Sequence, residues 1–105
     1  MKKYFLGALV LFGSSSVLSL EIPMAEITYL APWSPHVDVK VDTTHLDAGC
    51  GATDLYRIDL VNDTGGSEKY SMLLAAFMAG KEVVLSINGC VGNRGKIDGI
   101  RLSRQ

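Results

Sequence analysis

The chain has 105 residues, of which 48% are hydrophobic and 20% are charged. This length suits one small globular domain, and the apolar content excludes a disordered or fibrous chain. Ten Lys and Arg residues against eleven Asp and Glu residues give a formal net charge of −1. The composition therefore gives no electrostatic case for a nucleic-acid partner.

Residues 1–19 have the pattern of a secretory signal peptide. Two lysines follow the initial methionine, and the apolar run Phe5–Phe12 comes next. This run is far shorter than the roughly 20 residues that span a bilayer, so we expect no membrane span after cleavage. Cleavage after Ser19 is preferred over cleavage after Ala25, and it leaves a single domain, residues 20–105, in the periplasm or outside the cell.

The predicted mature chain has two cysteines, Cys50 and Cys90. In an oxidising compartment such a pair usually forms a disulfide, and closing this loop contributes about 4 kcal/mol by the chain-entropy estimate. The alternative is a redox or catalytic thiol, but the pair does not have the Cys-x-x-Cys spacing of redox motifs. We therefore predict a structural disulfide.

The first predicted element of the mature chain is a β-strand over Glu26–Leu30. It should end at Pro32 and Pro35, because proline cannot join the interior of a ladder. A second strand over residues 36–42 alternates strictly, with its three valines facing a core and its polar residues facing water. Residues 43–54 are rich in turn formers and separate this strand from the next.

A third strand over residues 55–60 is followed by the one predicted helix. Ser67 is a plausible N-cap for this helix, and Gly80 is placed to end it. The spacing of the large apolar residues predicts one buried stripe. That stripe consists of Tyr70, Leu73, Leu74, Phe77 and Met78.

The opposite side of the helix is also apolar. It carries Met72, Ala75, Ala76 and Ala79 in place of charged residues. A helix that is apolar nearly all round is usually buried on both sides. Two explanations remain open: the chain's own loops cover this side, or a second subunit does, in which case these four residues form an oligomer interface.

Two further strands follow the helix. Residues 82–88 form one, a glycine-rich turn follows, and residues 96–102 form the last strand, with a bulge expected at Gly99. Several strands, one helix and a final hairpin indicate an α+β fold. The expected architecture is a small, strongly bent sheet or barrel with the helix across it.

Six short motifs between residues 49 and 102 carry a family resemblance: Cys-Gly at 50–51, Tyr-Arg-Ile-Asp at 56–59, Tyr-Ser-Met-Leu-Leu-Ala-Ala at 70–76, Ala-Gly-Lys-Glu-Val-Val-Leu at 79–85, Gly-Cys at 89–90 and Ile-Asp-Gly-Ile-Arg-Leu at 97–102. Through them the chain resembles small exported bacterial proteins that are similar to the B subunits of subtilase-cytotoxin and pertussis-like toxins. The resemblance implies an OB-like barrel, a homo-oligomeric ring, a glycan receptor and a catalytic toxin chain as partner. The chain is shorter than those subunits, and its cysteines are placed differently.

Polar residues cluster in and after the second strand: His36, Asp38, Asp42, His45, Asp47 and Asp54. The simplest interpretation is the solvated face of a strand with carboxylates in the following turn. A second interpretation is a divalent metal site formed by His36, Asp38, His45 and Asp47. Acid–base catalysis by two of the carboxylates is a third. We expect no cofactor.

Trp33 lies between Pro32 and Pro35, next to the second strand. It is either an exposed aromatic platform for a sugar or a partner protein, or an anchor in the core or a loop. Tyr29, in the preceding strand, is the second candidate ligand-binding residue. No hydrolase, phosphate-binding or dinucleotide-binding motif accompanies them.

Together these features predict an exported, non-catalytic binding module that recognises a glycan or a protein and assembles as a homo-oligomer. One alternative is a small metal-dependent periplasmic enzyme centred on His36 and His45. A further alternative is a structural or inhibitory periplasmic protein. Metal content would favour the enzyme, whereas a larger mass in solution would favour the oligomeric module.

Overall fold

The computed structural model describes residues 19–103, so most of the predicted signal peptide lies outside the described residues. The elements are β1 (Ser19–Trp33), β2 (His36–Val41), β3 (Tyr56–Asp59), α1 (Gly66–Ala79), β4 (Glu82–Val91) and β5 (Arg94–Arg101). The strands close into a barrel in the order β1-β2-β3-β5-β4, and β4 pairs back onto β1. The predicted α+β class is confirmed.

β1 is much longer than the predicted strand. Its first part, up to Glu26, pairs with β4, and its second part pairs with β2. Pro32 lies inside the ladder opposite Val37, although the sequence predicted that it would end the strand. In the described residues, the pairing of β1 with β4 ends at Glu26. At Pro32, β1 is therefore paired only with β2, and a strand that is paired on one side tolerates a proline.

The barrel interior is filled by inward side chains from all five strands and from the helix. The valines predicted to face a core from β2 are buried, as are the apolar residues of β3. Burial of each large apolar side chain contributes about 1.5–3 kcal/mol, so this layer is the main source of hydrophobic stabilisation. The most completely buried large side chains are Ile22, Val37, Val39, Tyr56, Ile58, Leu73, Val83, Leu85, Ile87 and Ile97.

The helix begins two residues earlier than predicted. Gly65 takes the N-cap position without a side-chain hydrogen bond, and Ser67 lies inside the first turn. The Asp63 carboxylate instead accepts a hydrogen bond from the Gly65 N–H at 2.9 Å. Gly66 packs so closely on the end of β3 that a Cβ there would lie 2.4 Å from the Asp59 carbonyl oxygen. The absence of a side chain at Gly66 therefore sets how the helix leaves the barrel.

Only one narrow side of α1 is buried. Leu73 and Ala76 reach the core with 0% and 2% exposure, whereas Leu74 and Phe77, predicted to be buried, are each 40% exposed. The strands already fill the interior of the closed barrel, so the helix contacts it along a single line. The helix ends as predicted at Gly80, which has a left-handed φ of 65°.

The barrel closes through a short parallel pairing between β3 and β5. Only Tyr56 and Arg57 of β3 are paired with β5 in the described residues. The predicted disulfide is present: Cys50, in the loop before β3, is bonded to Cys90 in β4, with a Cα–Cα distance of 5.7 Å. Cys90 stands opposite Gly95, which is itself opposite Tyr56, so the disulfide lies at the closure.

The irregularity predicted at Gly99 is also present. Ser86 lies opposite Gly99 and Ile87 lies opposite Ile97, so β5 has one extra residue, Asp98. Such a bulge increases the local twist and shifts the side-chain alternation by one position. It therefore lets both halves of β5 keep their apolar residues towards the barrel.

Leu73→Ala should lower the free energy of unfolding by about 2–5 kcal/mol, because it removes a fully buried side chain. Phe77→Ala should cost about 1 kcal/mol or less, since substitutions at exposed positions have small effects. Denaturant unfolding followed by circular dichroism measures both changes. Equal losses of several kcal/mol would contradict the half-exposed position of Phe77 in the isolated chain.

Candidate ligand-binding surface

The outward side chains of β1, β2 and β3 bring together four of the residues that the sequence singled out: Tyr29, Trp33, His36 and Asp38. A register irregularity between Ile27 and Tyr29 sets which residues of β1 point outward. The strand register then forms three rows across the sheet, and we call this surface the outer face. The rows are Tyr29 with Lys40, Ala31 with Asp38 and Arg57, and Trp33 with His36 and Asp59.

Two aromatic side chains are exposed on the outer face. Trp33 is 55% exposed and Tyr29 is 41% exposed, so the core position considered for Trp33 does not apply. They lie four residues apart in one strand, which separates their Cα atoms by about 13 Å. Ala31 lies between them and carries only a methyl group, so no bulky side chain of β1 separates the two rings.

Asp38 lies opposite Ala31, and it is only 8% exposed, although the alternation predicted a solvated side chain. Its neighbours cover it: Arg57 Nε donates to Oδ1 at 2.9 Å, and His36 Nε2 lies 3.3 Å from the same oxygen. Arg57 Nη1 also donates to the Val91 carbonyl at 3.4 Å. These contacts use Oδ1 and two of the guanidinium nitrogens, so Asp38 Oδ2 and Arg57 Nη2 are the acceptor and the donor of this pair that they leave over.

A second arginine–carboxylate pair lies next to the outer face. Arg94 donates through Nε and Nη2 to the two oxygens of Asp54, at 2.7 and 2.9 Å. These hydrogen bonds lower the pKa of Asp54 from 3.8 to about 2, and the charge of Lys40 adds a smaller contribution. The Lys40 ammonium also lies 5.3 Å from the centre of the Tyr29 ring.

At the edge of the outer face nearest β5, hydrogen bonds again lower the pKa of a carboxyl group, and a lysine again adds a smaller contribution. The pKa of Asp59 is lowered, mainly by hydrogen bonds from the backbone N–H groups of Asn62 and Val61. The charge of Lys96, in β5, contributes less to this lowering. Two of the four cations of this region, Arg57 and Arg94, are thus paired with a carboxylate by direct contact, whereas Lys40 and Lys96 act on Asp54 and Asp59 only through their charge.

The loop between β2 and β3 takes His45 away from the outer face. Its Nε2 accepts a hydrogen bond from the Val41 N–H at 3.2 Å, and its Nδ1 lies 3.1 Å from the Thr53 carbonyl oxygen. The ring also packs on Tyr56, with 4.9 Å between ring centroids. Both ring nitrogens are thus used by the backbone, and His45 orders its own loop.

The structure does not gather His36, Asp38, His45 and Asp47 as the metal alternative required. In residues 19–103 no group of three or more His, Cys, Asp or Glu side chains is arranged to hold a metal ion. The reason is that the turn carboxylates bind nearby N–H groups or arginine. Asp42 accepts from the Glu26 N–H, Asp47 from the Gly49 N–H, and Asp54 from Arg94.

The four predicted interface residues of α1 do not share one side of the helix. Ala76 packs against the barrel core of its own chain, so it is removed from the predicted interface. Met72, Ala75 and Ala79 are exposed. Ala75 and Ala76 also line a groove of about 600 Å³, which is bordered by Leu102 beyond β5. The exposed apolar residues form what we call the α1 surface: Met72, Leu74, Ala75, Phe77, Met78 and Ala79.

We compared the chain with protein-family models, with curated proteins and with solved structures, and none of them matched. Within the described part of the chain, no helix has the length and apolar character needed to cross a membrane. The Cys50–Cys90 disulfide is compatible with an oxidising location, either the periplasm or the exterior of the cell.

Two residues of this region were missed by the sequence analysis. The alternation in β3 points Arg57 outward, but nothing in the sequence indicates that β3 pairs with β2 in the register that places it beside Asp38. Arg94 was assigned only to a turn, because its partner Asp54 lies 40 positions away. Long-range pairing of this kind becomes visible only when the barrel is closed.

Acid should destabilise the protein in part through Asp54. Its pKa in the folded state is below the ordinary 3.8, so the stabilisation is complete above about pH 4 and is lost as the pH falls towards 2. Asp54→Asn and Arg94→Gln should each reduce the loss of unfolding free energy over this range. The double variant should reduce it no further, because both changes remove one interaction.

Urea unfolding at a series of pH values provides this measurement. The double variant provides the control, since it distinguishes loss of the pair from two separate effects. If the two changes add, the arginine is not what lowers the pKa of Asp54.

Proposed function

We propose that this protein is an exported, non-catalytic binding module that recognises glycans through its outer face. The observation that carries the proposal is the exposed pair Tyr29 and Trp33 beside the largely covered pair Asp38 and Arg57. Aromatic rings offer a flat apolar surface to the C–H face of a sugar ring. The carboxylate and the guanidinium provide an acceptor and a donor for sugar hydroxyls.

The strand order, with a helix between β3 and β4, supports an OB-like barrel. Such barrels bind oligonucleotides and oligosaccharides on the face of strands 2 and 3 and on the loops that join strands 1 to 2 and 4 to 5. Here the corresponding turns border the outer face. Trp33 precedes the first turn, and a Cβ at Gly92 in the second would lie 3.2 Å from Arg57 Nη1.

The shape and charge of the outer face support binding of a sugar over the other ligand classes. It is an open sheet surface, whereas small-molecule enzymes usually enclose their substrates in a concave pocket. Nucleic-acid binding needs cations free to contact phosphates, but the formal net charge is −1. The resemblance to toxin B subunits points in the same direction, since it implies a glycan receptor.

Trp33 is the one tryptophan of the chain, so its fluorescence reports on the outer face without a label. A panel of immobilised glycans identifies the ligand, and a fluorescence titration then measures its affinity. Trp33→Ala and Tyr29→Ala should each weaken binding by about tenfold or more on the panel, since aromatic anchors dominate binding energy.

Phe77→Ala provides the matched control, because Phe77 is 40% exposed, like Tyr29 at 41%, but lies on the helix. It should leave the affinity for a soluble glycan in the fluorescence titration unchanged, because a contact between two copies through α1 affects only the avidity on an immobilised panel. Loss of binding in Phe77→Ala with full binding in Trp33→Ala would place the ligand on α1. A wild-type protein that binds no glycan of the panel would overturn the proposed function.

We propose in addition that the α1 surface contacts a second copy of this chain. Met78 is 77% exposed and Met72 is 39% exposed, and soluble monomers rarely leave an apolar patch of this kind open. Ala75 and Ala79 are small enough to let a neighbouring backbone approach closely. The surface also adjoins the groove bordered by Leu102, which enlarges the apolar area available to a partner.

The charges at the ends of the helix favour a second copy over an unrelated partner. In an antiparallel pairing of two α1 helices, Glu68 in the first turn of one copy faces Lys81, just past the end of the other. The same pairing places opposite ends of the two helix dipoles together. A two-fold axis then forms each contact twice.

Ala75→Glu should leave the chain folded and convert the assembly to monomers, because a desolvated carboxylate at the contact has no partner. Asn93→Glu is the control, since it adds the same charge at an exposed position in the turn after β4, whereas α1 lies before the start of that strand. Size-exclusion chromatography with light scattering measures the mass of each. A monomeric wild type, or an Ala75→Glu variant with unchanged mass, would overturn the contact.

A further inference from the structure

We infer that the ligand of the outer face is an uncharged sugar, and that the carboxylate of Asp38 excludes sugars bearing carboxylate, sulfate or phosphate groups. This inference rests on the proposed glycan-binding function and adds the chemical class of the ligand. It follows from three observations: how the arginines are paired, which atoms of Asp38 and Arg57 their internal contacts leave over, and how far Asp38 is buried.

The two arginines of the region are already paired with carboxylates of the same chain. Arg57 Nε contacts Asp38 at 2.9 Å, and Arg94 contacts both oxygens of Asp54. Lys40 lies over the ring of Tyr29, with 5.3 Å between its ammonium and the ring centre. An anionic group on a ligand would therefore have to compete with an existing carboxylate for each arginine.

The atoms left for a ligand match a hydroxyl group. Asp38 Oδ2 accepts hydrogen bonds, whereas Arg57 Nη2 donates them. The contact between Arg57 Nε and Asp38 Oδ1 holds the guanidinium and the carboxylate side by side. A sugar hydroxyl both donates and accepts, so one hydroxyl or an adjacent pair satisfies both atoms. A carboxylate or sulfate at neutral pH only accepts, so it leaves Oδ2 without a donor and places two negative charges together.

The burial of Asp38 strengthens this discrimination. The residue is 8% exposed, and its side chain contacts two neighbours, so solvent screens its charge less than that of a surface carboxylate. Repulsion between two unit charges a few ångströms apart is worth a factor of about five even in bulk water. Because Arg57, at 2.9 Å, offsets part of the Asp38 charge, we expect an anionic sugar to bind more weakly than its uncharged parent by up to about fivefold.

The test begins with the wild-type protein on a panel of uncharged oligosaccharides and their sialylated and sulfated counterparts, with single-stranded oligothymidylate as a polyanion probe. The uncharged members should bind most strongly. Their affinity should stay constant as sodium chloride is raised to about 0.5 M, because screening affects only charged contacts. Stronger binding of the sialylated, sulfated or oligothymidylate probes would overturn the inference.

Asp38→Asn then tests the role of the carboxylate. The amide keeps an acceptor oxygen and removes the charge, so binding of the anionic counterparts should rise by up to about fivefold relative to the uncharged sugars. Asp98→Asn removes the same charge at an exposed position in the β5 bulge and should leave the preference unchanged. An unchanged preference in a folded Asp38→Asn variant would overturn the role of Asp38.

These outcomes separate the inference from the function on which it rests. Preference for anionic sugars overturns the ligand class and leaves glycan binding standing. Binding of no sugar at all overturns the proposed function and the inference with it. Should Asp38→Asn fail to fold, as circular dichroism would show, the wild-type panel alone still decides the ligand class.

Discussion

The closure of the barrel between β3 and β5 is the constraint on which the rest of the structure depends. This parallel pairing is only two residue pairs long, and the long loop before β3 has no regular secondary structure to support it. Three other links meet at this place: the Cys50–Cys90 disulfide, a hydrogen bond from the Ala52 N–H to the Asn93 carbonyl at 2.9 Å, and the Asp54–Arg94 pair. They hold the loop and the β4–β5 hairpin together where the ladder alone is shortest.

The same closure fixes the chemistry of the outer face. β3 is held on one side by β5 and on the other by β2, where Arg57 lies opposite Asp38. A slip of one residue would turn Arg57 towards the core and Tyr56 towards solvent, since successive side chains of a strand face opposite sides. The interactions that stabilise the barrel therefore also position the acceptor and donor proposed to meet a ligand.

Local patterns predicted the elements that depend on local physics. The alternating valines of β2, the left-handed Gly80 after α1 and the bulge at Gly99 all follow from neighbouring residues. The first half of β1 was missed because its pairing with β4 depends on residues about 60 positions away. The burial of Asp38 was missed for a similar reason, since it depends on Arg57 in another strand. The sequence could therefore predict the aromatic candidates and single out His36 and Asp38, but it could not predict that Arg57 pairs with Asp38 and covers it.

The different compositions of the two exposed surfaces follow from how a small barrel uses its residues. The strands fill the interior, so α1 can bury little more than the side of Leu73 and Ala76. Its remaining apolar side chains cannot form hydrogen bonds with water or with a hydrophilic ligand. They are better suited to contact with another protein surface. On the outer face, by contrast, Trp33 is flanked by paired charges that are already satisfied in the free protein. That surface is compatible with water and with sugar hydroxyls, so one chain can present a face for a ligand and a face for another subunit without the two competing.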